Sequence, residues 1–509
     1  MKFVLGVDIG TTAIKAAVFD ERGSDRGSHT CEYNLLTPFS GAVELDARSY
    51  VDAFKSAIAS AIATAQVSKD DIVSLGISAQ GETLFLVDED GMPLRPAIVW
   101  MDTRANDEAS WIEAQLGREV VHKTTGQVGM NAIWPASKIL WLKKNEPDVF
   151  ARTAKFLLIE DYFIFLLTGK YVSEDSLLCS TMYWDINTRR YWPQMLDTLG
   201  VKESQLPEIM PPGTAIGKAN AAAAAEFGLS PDTLICLGAL DQACGAIGVG
   251  NVRPGIFSES TGAALASVAM TDHPLIDPAG EMPCFASGIP GMYMLHAFST
   301  GGMAIRWFRD SFWAAELEKE QAGGVNVYSL IDQAVASVAP GAEGLLALPH
   351  LQGSGPPDTN AKAKGVFLNV TLAHSRAHFA RAIMEGVTMV LLRMIEGTRA
   401  LGVGVTEVRS LSGGAKSRTW CQIKSNACGL PVRTMKTTDI AACLGAAILA
   451  GVAAGLWRSV EETATSFAEY DSEFEPDRAL KPLYDNMLTE YKSLMTELTP
   501  SFNRAARSR

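Results

Sequence analysis

Apolar and polar positions along the first hundred residues fall into short runs separated by turn formers. Phe3–Val7 and Ile14–Phe19 are continuous apolar runs that read as consecutive buried strands, joined by a turn over Asp8–Thr12. The stretch Asp20–Gly23 closes the hairpin that follows. Tyr50, Phe54, Ile58 and Ile62 recur every four residues and predict an amphipathic helix, with Asp46 and Ser49 as candidate caps. Ile72–Ser78 reads as a buried strand, Leu84–Val87 as another, and the apolar run from Ala97 to Met101 as a third. Strands alternating with helices define an α/β chain.

The same plan returns later. From Gly255 an apolar strand runs into a small-residue turn carrying Thr261 and then a second strand, which hints at an internal duplication. Between the two copies, Leu234–Gly250 reads as a strand ending at Asp241, a small-residue helix and a glycine-rich exit. The best boundary lies there, giving an N-terminal domain over 1–250 and a C-terminal domain over 251–509. A long helix is predicted from about His378 to Leu401, with Phe379, Ile383, Val387, Val390 and Met394 at helical spacing. The run from Cys443 to Trp457 is apolar but short and rich in small residues, which predicts a tightly packed internal helix rather than a membrane span.

Bulk numbers narrow the picture. A chain of 509 residues exceeds what one core holds, so two domains are expected. The net charge is −13, from 44 basic and 57 acidic residues, with no dense basic patch, which argues against nucleic acid and anionic membranes as partners. Only a handful of apolar residues follow Lys2 before Asp8 interrupts, so no signal peptide is expected. The eight cysteines show neither CxxC nor zinc spacing, and reduced, mostly buried thiols in a cytoplasmic protein are expected.

Candidate chemistry gathers at the turns. In Asp8-Ile9-Gly10-Thr11-Thr12 the glycine lets backbone N–H groups approach an anion, the threonines add donors and Lys15 adds a charge. An aspartate among phosphate donors would repel the phosphate unless it acts through a cation, and hydrated Mg²⁺ is the natural intermediary. The plain alternative is an ordinary hairpin turn, where these residues are common. Ser412–Ser417 (SGGAKS) follows a strand without Walker spacing, and STGG at Ser299–Gly302 opens a helix. Three such turns together suggest a nucleotide between two domains. Asp241 at a strand end is either a helix cap or a general base for phosphoryl transfer. Gln80 and Glu82 lie past one strand, with Trp100 and Asp102 past the next. These can hydrogen-bond polyol hydroxyls and pack on C–H groups, or be solvated loop polars beside a core tryptophan. His374 and His378 have metal-compatible spacing but no third ligand, and read as an ordinary helix start.

Taken together, these segments resemble the FGGY carbohydrate kinases of the actin/hexokinase/Hsp70-like ATPase superfamily. VDIGTTAIKAAVFD is similar to the first phosphate motif, AIVWMDTRA to the early substrate-side segment, and GALDQACGAIGVG to the segment with the catalytic aspartate. SESTGAAL is similar to the second phosphate motif, the stretch Gly353–Gly386 to the carboxyl-terminal signature, and SGGAKSRTWCQIKSNACGLPV to the adenosine motif. The resemblance implies two actin-like (ribonuclease H-like) domains, each a mixed sheet flanked by helices, with a cleft between. It implies ATP and Mg²⁺ as cofactors and a small sugar or polyol as partner, and a homodimer is common in the family. Asp241 would be the general base and Asp8 would support Mg²⁺. Gly10, Thr11, Thr12, Lys15 and Thr261 would hold the phosphates. Gly302, Gly414 and Ala415 would line the nucleotide site, with Arg418 near the adenine. Gln80, Glu82, Trp100 and Gln242 fall on the sugar side.

The acceptor is the least defined part. The closing region is similar to xylulokinases, whereas Gln80-Gly81-Glu82-Thr83 and Asp241-Gln242 resemble glycerol kinases, with glycine in place of an arginine. The expected reaction is transfer of the γ-phosphoryl of MgATP to a ketopentose such as xylulose, with glycerol or a four- or five-carbon polyol second. Loss of the arginine clamp at Gly81 is expected to make room for a longer substrate. A superfamily relative that hydrolyses ATP as a switch, without sugar, is the alternative from another class.

Overall fold

The computed structural model describes residues 1–436 and 438–507. Two compact units emerge from the chain. The first comprises Met1–Val252, Met270–Met294 and Ile440–Ala468, and the second Arg253–Ala269, Leu295–Asp439 and Glu469–Arg509.

In the first unit the opening apolar runs form β1 (Phe3–Ile9) and β2 (Ala13–Asp20), an antiparallel hairpin. β3 (Asp25–Glu32) extends it on one side. On the other side β4 (Ile72–Ala79) and then β5 (Leu234–Leu240) pair in parallel, and β6 (Ala215–Lys218) closes the edge antiparallel to β5 in the order β6-β5-β4-β1-β2-β3. The helix α1 (Ala47–Ala65) buries Tyr50, Phe54 and Ile58. Asp46 caps it, accepting from Arg48 N at 2.8 Å, and Ser49 lies inside the helix. Phe54 stacks on Phe163 at 4.4 Å in this core.

The second unit repeats the plan. β7 (Gly255–Thr261) and β8 (Ala264–Thr271) form the antiparallel hairpin, and β9 (Tyr293–Thr300) follows β8 in the sheet. β10 (Val405–Leu411) pairs parallel to β7, β11 (Val432–Met435) parallel to β10, and β12 (Tyr470–Phe474) antiparallel to β11. The duplication hinted at by the sequence is thus a duplication of sheet topology. The long helix spans Arg376–Ala400, and His378 sits in its first turn, accepting from Ser375 N at 3.2 Å as part of the helix start.

These contacts divide the chain otherwise than a single cut at 250/251, because residues 270–294 and 440–468 return to the first unit. The physical reason for the second return is the small-residue helix Ala441–Ala453, which is buried over most of its surface. It lies so close to the first sheet that a Cβ on Gly6 would sit 1.9 Å from the Cys443 carbonyl oxygen, and one on Gly76 would sit 2.3 Å from that of Ala446. Only glycines in the strands and small residues in the helix permit that approach. The run Ala97–Met101 is a strand only over Ala97–Ile98, after which the chain turns and frees Trp100 from the sheet. Among the described residues no helix is long and apolar enough to cross a membrane. All eight cysteines are free, and all but the partly exposed Cys31 are buried.

Candidate functional site

Register builds the first-unit site. Asp8 lies opposite Ser78 in the parallel pair and opposite Lys15 in the hairpin. Ile9 lies opposite Ala79, and Ala79 opposite Leu240. Three neighbouring strands therefore end at one level, and the residues that follow them, Gly10, Gln80 and Asp241, share one edge of the sheet. The carboxyl ends of parallel strands are where open α/β sheets bind ligands. Asp241 is the first residue of the helix Asp241–Gly248, with Leu240 in the cap position. Its carboxylate is thus not engaged as a helix cap, and Oδ1 accepts from the adjacent Gln242 N at 2.7 Å.

Three carboxyls converge there. Burial, with Asp8 and Glu82 adding like charge, pushes Asp241 up to about 8. Burial also raises Asp8, against a 2.8 Å hydrogen bond from Ser78 Oγ and the charge of Lys15. Glu82 is pushed up to about 7 by burial, with Lys138 and Ser180 pulling the other way. Its backbone is left-handed at φ 56°. For a residue with a Cβ that conformation costs on the order of 1–3 kcal/mol, strain of the kind that collects at functional sites.

The loops are tied to one another. Trp100 Nε1 donates to Thr11 Oγ1 at 2.8 Å, and Trp100 N to Thr83 Oγ1 at 3.2 Å. Gln80 Nε2 donates to the Tyr50 hydroxyl at 3.2 Å, and its buried Oε1 has no partner among the described residues. At the hairpin tip the Gly10 carbonyl accepts from the Tyr33 hydroxyl, and the Thr12 carbonyl from Tyr33 N at 2.9 Å. The Thr12 side chain stays exposed. Asp102 is fully buried, receiving Val43 N at 2.6 Å and the Arg104 guanidinium. It braces the loop from within. A Cβ on Gly81 would sit 3.1 Å from Leu240 Cδ1 and 3.2 Å from Ser180 Oγ. A side chain at this position would start in a crowded space, with Leu240 and Ser180 having to give way by a few tenths of an ångström.

The second-unit site uses the same strand ends with different chemistry. Ser260 lies opposite Leu411, so Thr261 and Ser412 leave the sheet side by side. The Thr261 hydroxyl points inward, donating to Glu259 Oε2 at 2.5 Å and accepting from Lys424 Nζ at 3.0 Å. The one hydrogen of that hydroxyl is thereby committed to Glu259. What the turn exposes is its tip, around Ala263. Gly414 is buried against Thr261, where a Cβ would meet the Thr261 Cβ at 2.5 Å, while its neighbour Gly413 is exposed. Ala415 ends this single helical turn and is partly accessible. Gly302 N donates to the Gly262 carbonyl at 2.9 Å, bracing the same turn from the helix Met303–Phe312. Arg418 is exposed, and its guanidinium reaches Ser472 Oγ at 3.1 Å above the Phe474 ring.

Three features escaped the sequence reading. Ser260 and Ser412 bridge hydroxyl to hydroxyl at 2.7 Å, with Ser412 left-handed at φ 63°. Lys424 and Glu259 form a sealed ion pair at 2.5 Å. Lys138 is fully buried. The signal for both lysines was present. Lys138 shares the stripe of Pro135 and Leu142, and Lys424 that of Trp420 and Cys428, so each breaks an apolar helix face.

Residues 3–248 match the N-terminal domain, and residues 260–454 the C-terminal domain, of the FGGY family of carbohydrate kinases. The chain belongs to that family: it is an enzyme, a sugar kinase, with the two-domain actin-like ATPase fold. It is 30% identical over 506 residues to the xylulose kinase of Bacillus subtilis, covering 98% of this chain and 99% of the relative. Its fold is similar to ligand-bound xylulose kinase from Lactobacillus acidophilus, with a TM-score of 0.91, 26% identity and coverage of 99% of this chain and 100% of that one. It is also similar to gluconate kinase from Lactobacillus acidophilus, with a TM-score of 0.90, 26% identity and coverage of 99% of both chains.

Proposed function

We propose that this sugar kinase transfers the γ-phosphoryl group of MgATP to a hydroxyl of a ketopentose such as xylulose. The observation that carries the reading is the alignment of three strand ends that gathers Asp8, Gln80, Glu82 and Asp241 at one sheet edge. Asp241 is the general base, taking the proton of the attacking hydroxyl. Gln80 offers its unpartnered Oε1 to a sugar hydroxyl, Glu82 and Gln242 add polar contacts, and Trp100 gives an apolar face. Gly10, Thr11, Thr12 and Lys15 meet the phosphates from the first unit. From the second unit, the exposed turn after Thr261, together with Gly302 and Gly413–Ala415, meets the nucleotide, with Arg418 on its base side.

The donor set fits a divalent cation. The charge of Asp8 raises the proton affinity of Asp241, and Mg²⁺ is bound through one or two carboxylates plus substrate phosphates. When bound, it supplies neutralising charge at the phosphates. Asp8, with Asp241 beside it, would hold it, and Ser78 orients the Asp8 carboxylate.

The similarity to a xylulose kinase supports the ketopentose, and the similarity to a gluconate kinase makes an aldonate the second reading. Three carboxyls in one recess favour a neutral acceptor over an anionic one. ADP release from MgATP across ketopentoses, aldoses, tetritols, pentitols, glycerol and gluconate decides. A single ketopentose well above the no-sugar rate is expected. Faster turnover of gluconate or glycerol replaces the acceptor. A flat panel over steady ATP hydrolysis replaces the kinase reading with a switch ATPase.

A further inference from the structure

Lys138 lies on the helix Pro135–Asn145 with no solvent exposure. Its Nζ donates to the carbonyl oxygens of Glu82 at 3.0 Å, Val99 at 3.0 Å and Trp100 at 3.3 Å. An ammonium carries three N–H donors, and all three are used, each on a backbone oxygen. Burial, with Arg104 adding to it and Glu82 and Asp102 opposing it, draws the Lys138 ammonium down to about 7. The three converging carbonyls favour the charged form, since a neutral amine would turn a lone pair on one of them.

A methionine or leucine would fill the same volume without burying a charge. What the lysine alone provides is a single point on which two loops are fastened. One loop follows β4 and carries Gln80 and Glu82. The other follows Ala97–Ile98 and carries Trp100. The helix itself is anchored independently, by Ala136 N to the Thr181 carbonyl at 3.1 Å and by Ser137 Oγ to the Asn131 carbonyl at 2.8 Å. Thr83 Oγ1, accepting from Trp100 N, is a second tie between the same two loops.

We infer that Lys138 is a positioning residue for sugar recognition, pinning the Gln80–Glu82 loop to the Trp100 loop through their carbonyls without itself touching the sugar. This rests on the proposal above that those loops form the sugar side. Arginine cannot replace it, because a planar guanidinium fork does not direct three N–H groups at one converging set of oxygens.

The test is steady-state kinetics on the full chain with xylulose as acceptor, alongside the dissociation constant for MgADP, for wild type, K138M, K138R and T83V. K138M is expected to lower kcat/KM for the sugar by about ten- to a hundredfold, as misplaced binding groups do, with MgADP affinity held within about twofold. K138R is expected to fail to restore it, and T83V to shift the sugar KM in the same direction by less. Unchanged sugar kinetics in K138M, rescue by arginine, or equal losses of sugar and MgADP affinity would overturn the inference. Should K138M not fold, T83V decides, and a T83V enzyme with wild-type sugar KM overturns it as well. If wild type phosphorylates no sugar in the panel, the functional reading fails first and this inference falls with it. If wild type is active and the variants are silent, the inference alone fails.

Discussion

The two sheets share one topology, yet their strand-end sites treat buried charge in opposite ways. In the first unit Lys138 donates only to backbone carbonyls, and Asp8 and Glu82 are left to raise the carboxyl of Asp241. In the second unit Lys424 donates to Glu259, Thr261 and Ser410, and Glu259 in turn receives Thr261 and Ser410, so the cluster neutralises itself. One site keeps net acidity at its surface, suited to a cation and a proton acceptor. The other presents neutral turns, suited to a polyphosphate that carries its own charge. A shared topology fixed where each site lies, and the side chains behind the strand ends set its sign.

The comparison can be broken first at Asp241. Replacing it with asparagine removes the charge and nearly keeps the shape, so turnover is expected to fall by roughly 10²–10⁴-fold while sugar binding persists. Near-normal turnover in D241N would take the base role from it.

The next largest effect is on stability, and it separates the two lysines. K424M leaves Glu259 buried and unpaired, which is expected to cost about 3–5 kcal/mol. E259Q/K424M, losing both charges, should recover most of that in chemical denaturation. K138M strands no carboxylate in direct contact, so it should lose less stability than K424M. Equal losses at both positions would erase the distinction drawn here.

The smallest effect is in pH. In its proposed role as base Asp241 can take a proton only when ionised, and its carboxyl is pushed up to about 8. The kcat/KM for sugar should therefore fall as pH drops below that value. Glu82 contributes to the rise through its negative charge, so E82Q should move this acid limb to lower pH, by less than about one unit. A limb that moves upward would mean Glu82 does not act on Asp241 through charge. The buried carboxyls Asp161 and Glu174, each pushed up to about 7 by burial, carry a linked stability term. A carboxyl whose folded pKa is raised stabilises most below its unfolded value and loses that contribution as pH rises to the folded one. The thermal midpoint should accordingly decline between about pH 4.5 and 7, and E174Q should flatten part of the decline.

Much of this was legible along the chain because it is local. The hairpins at Asp8–Thr12 and Thr261, the helix over Tyr50–Ile62 and the small-residue helix at Cys443 each follow from periodicity within a dozen residues. Asp241 could be placed at a strand end, and its neighbours at other strand ends, by the same means. The direction of the Thr261 hydroxyl could not, because it depends on Glu259 two residues back and Lys424 far along the chain. The close packing at Gly81 was equally hidden, since Leu240 and Ser180 approach it from distant segments.

The sequence by itself determined the alternation of strands and helices, the repeated hairpin plan, the family, and which polar residues follow which strands. These are properties of short windows, where burial period and turn chemistry act on neighbours. Only the tertiary structure decided that residues 270–294 and 440–468 belong with the first unit, that Thr261 faces inward, and that Lys138 and Lys424 lie at the backs of their sites. A buried charge is tolerated only where its donors and acceptors are met, and those partners come from chain segments that folding alone brings together.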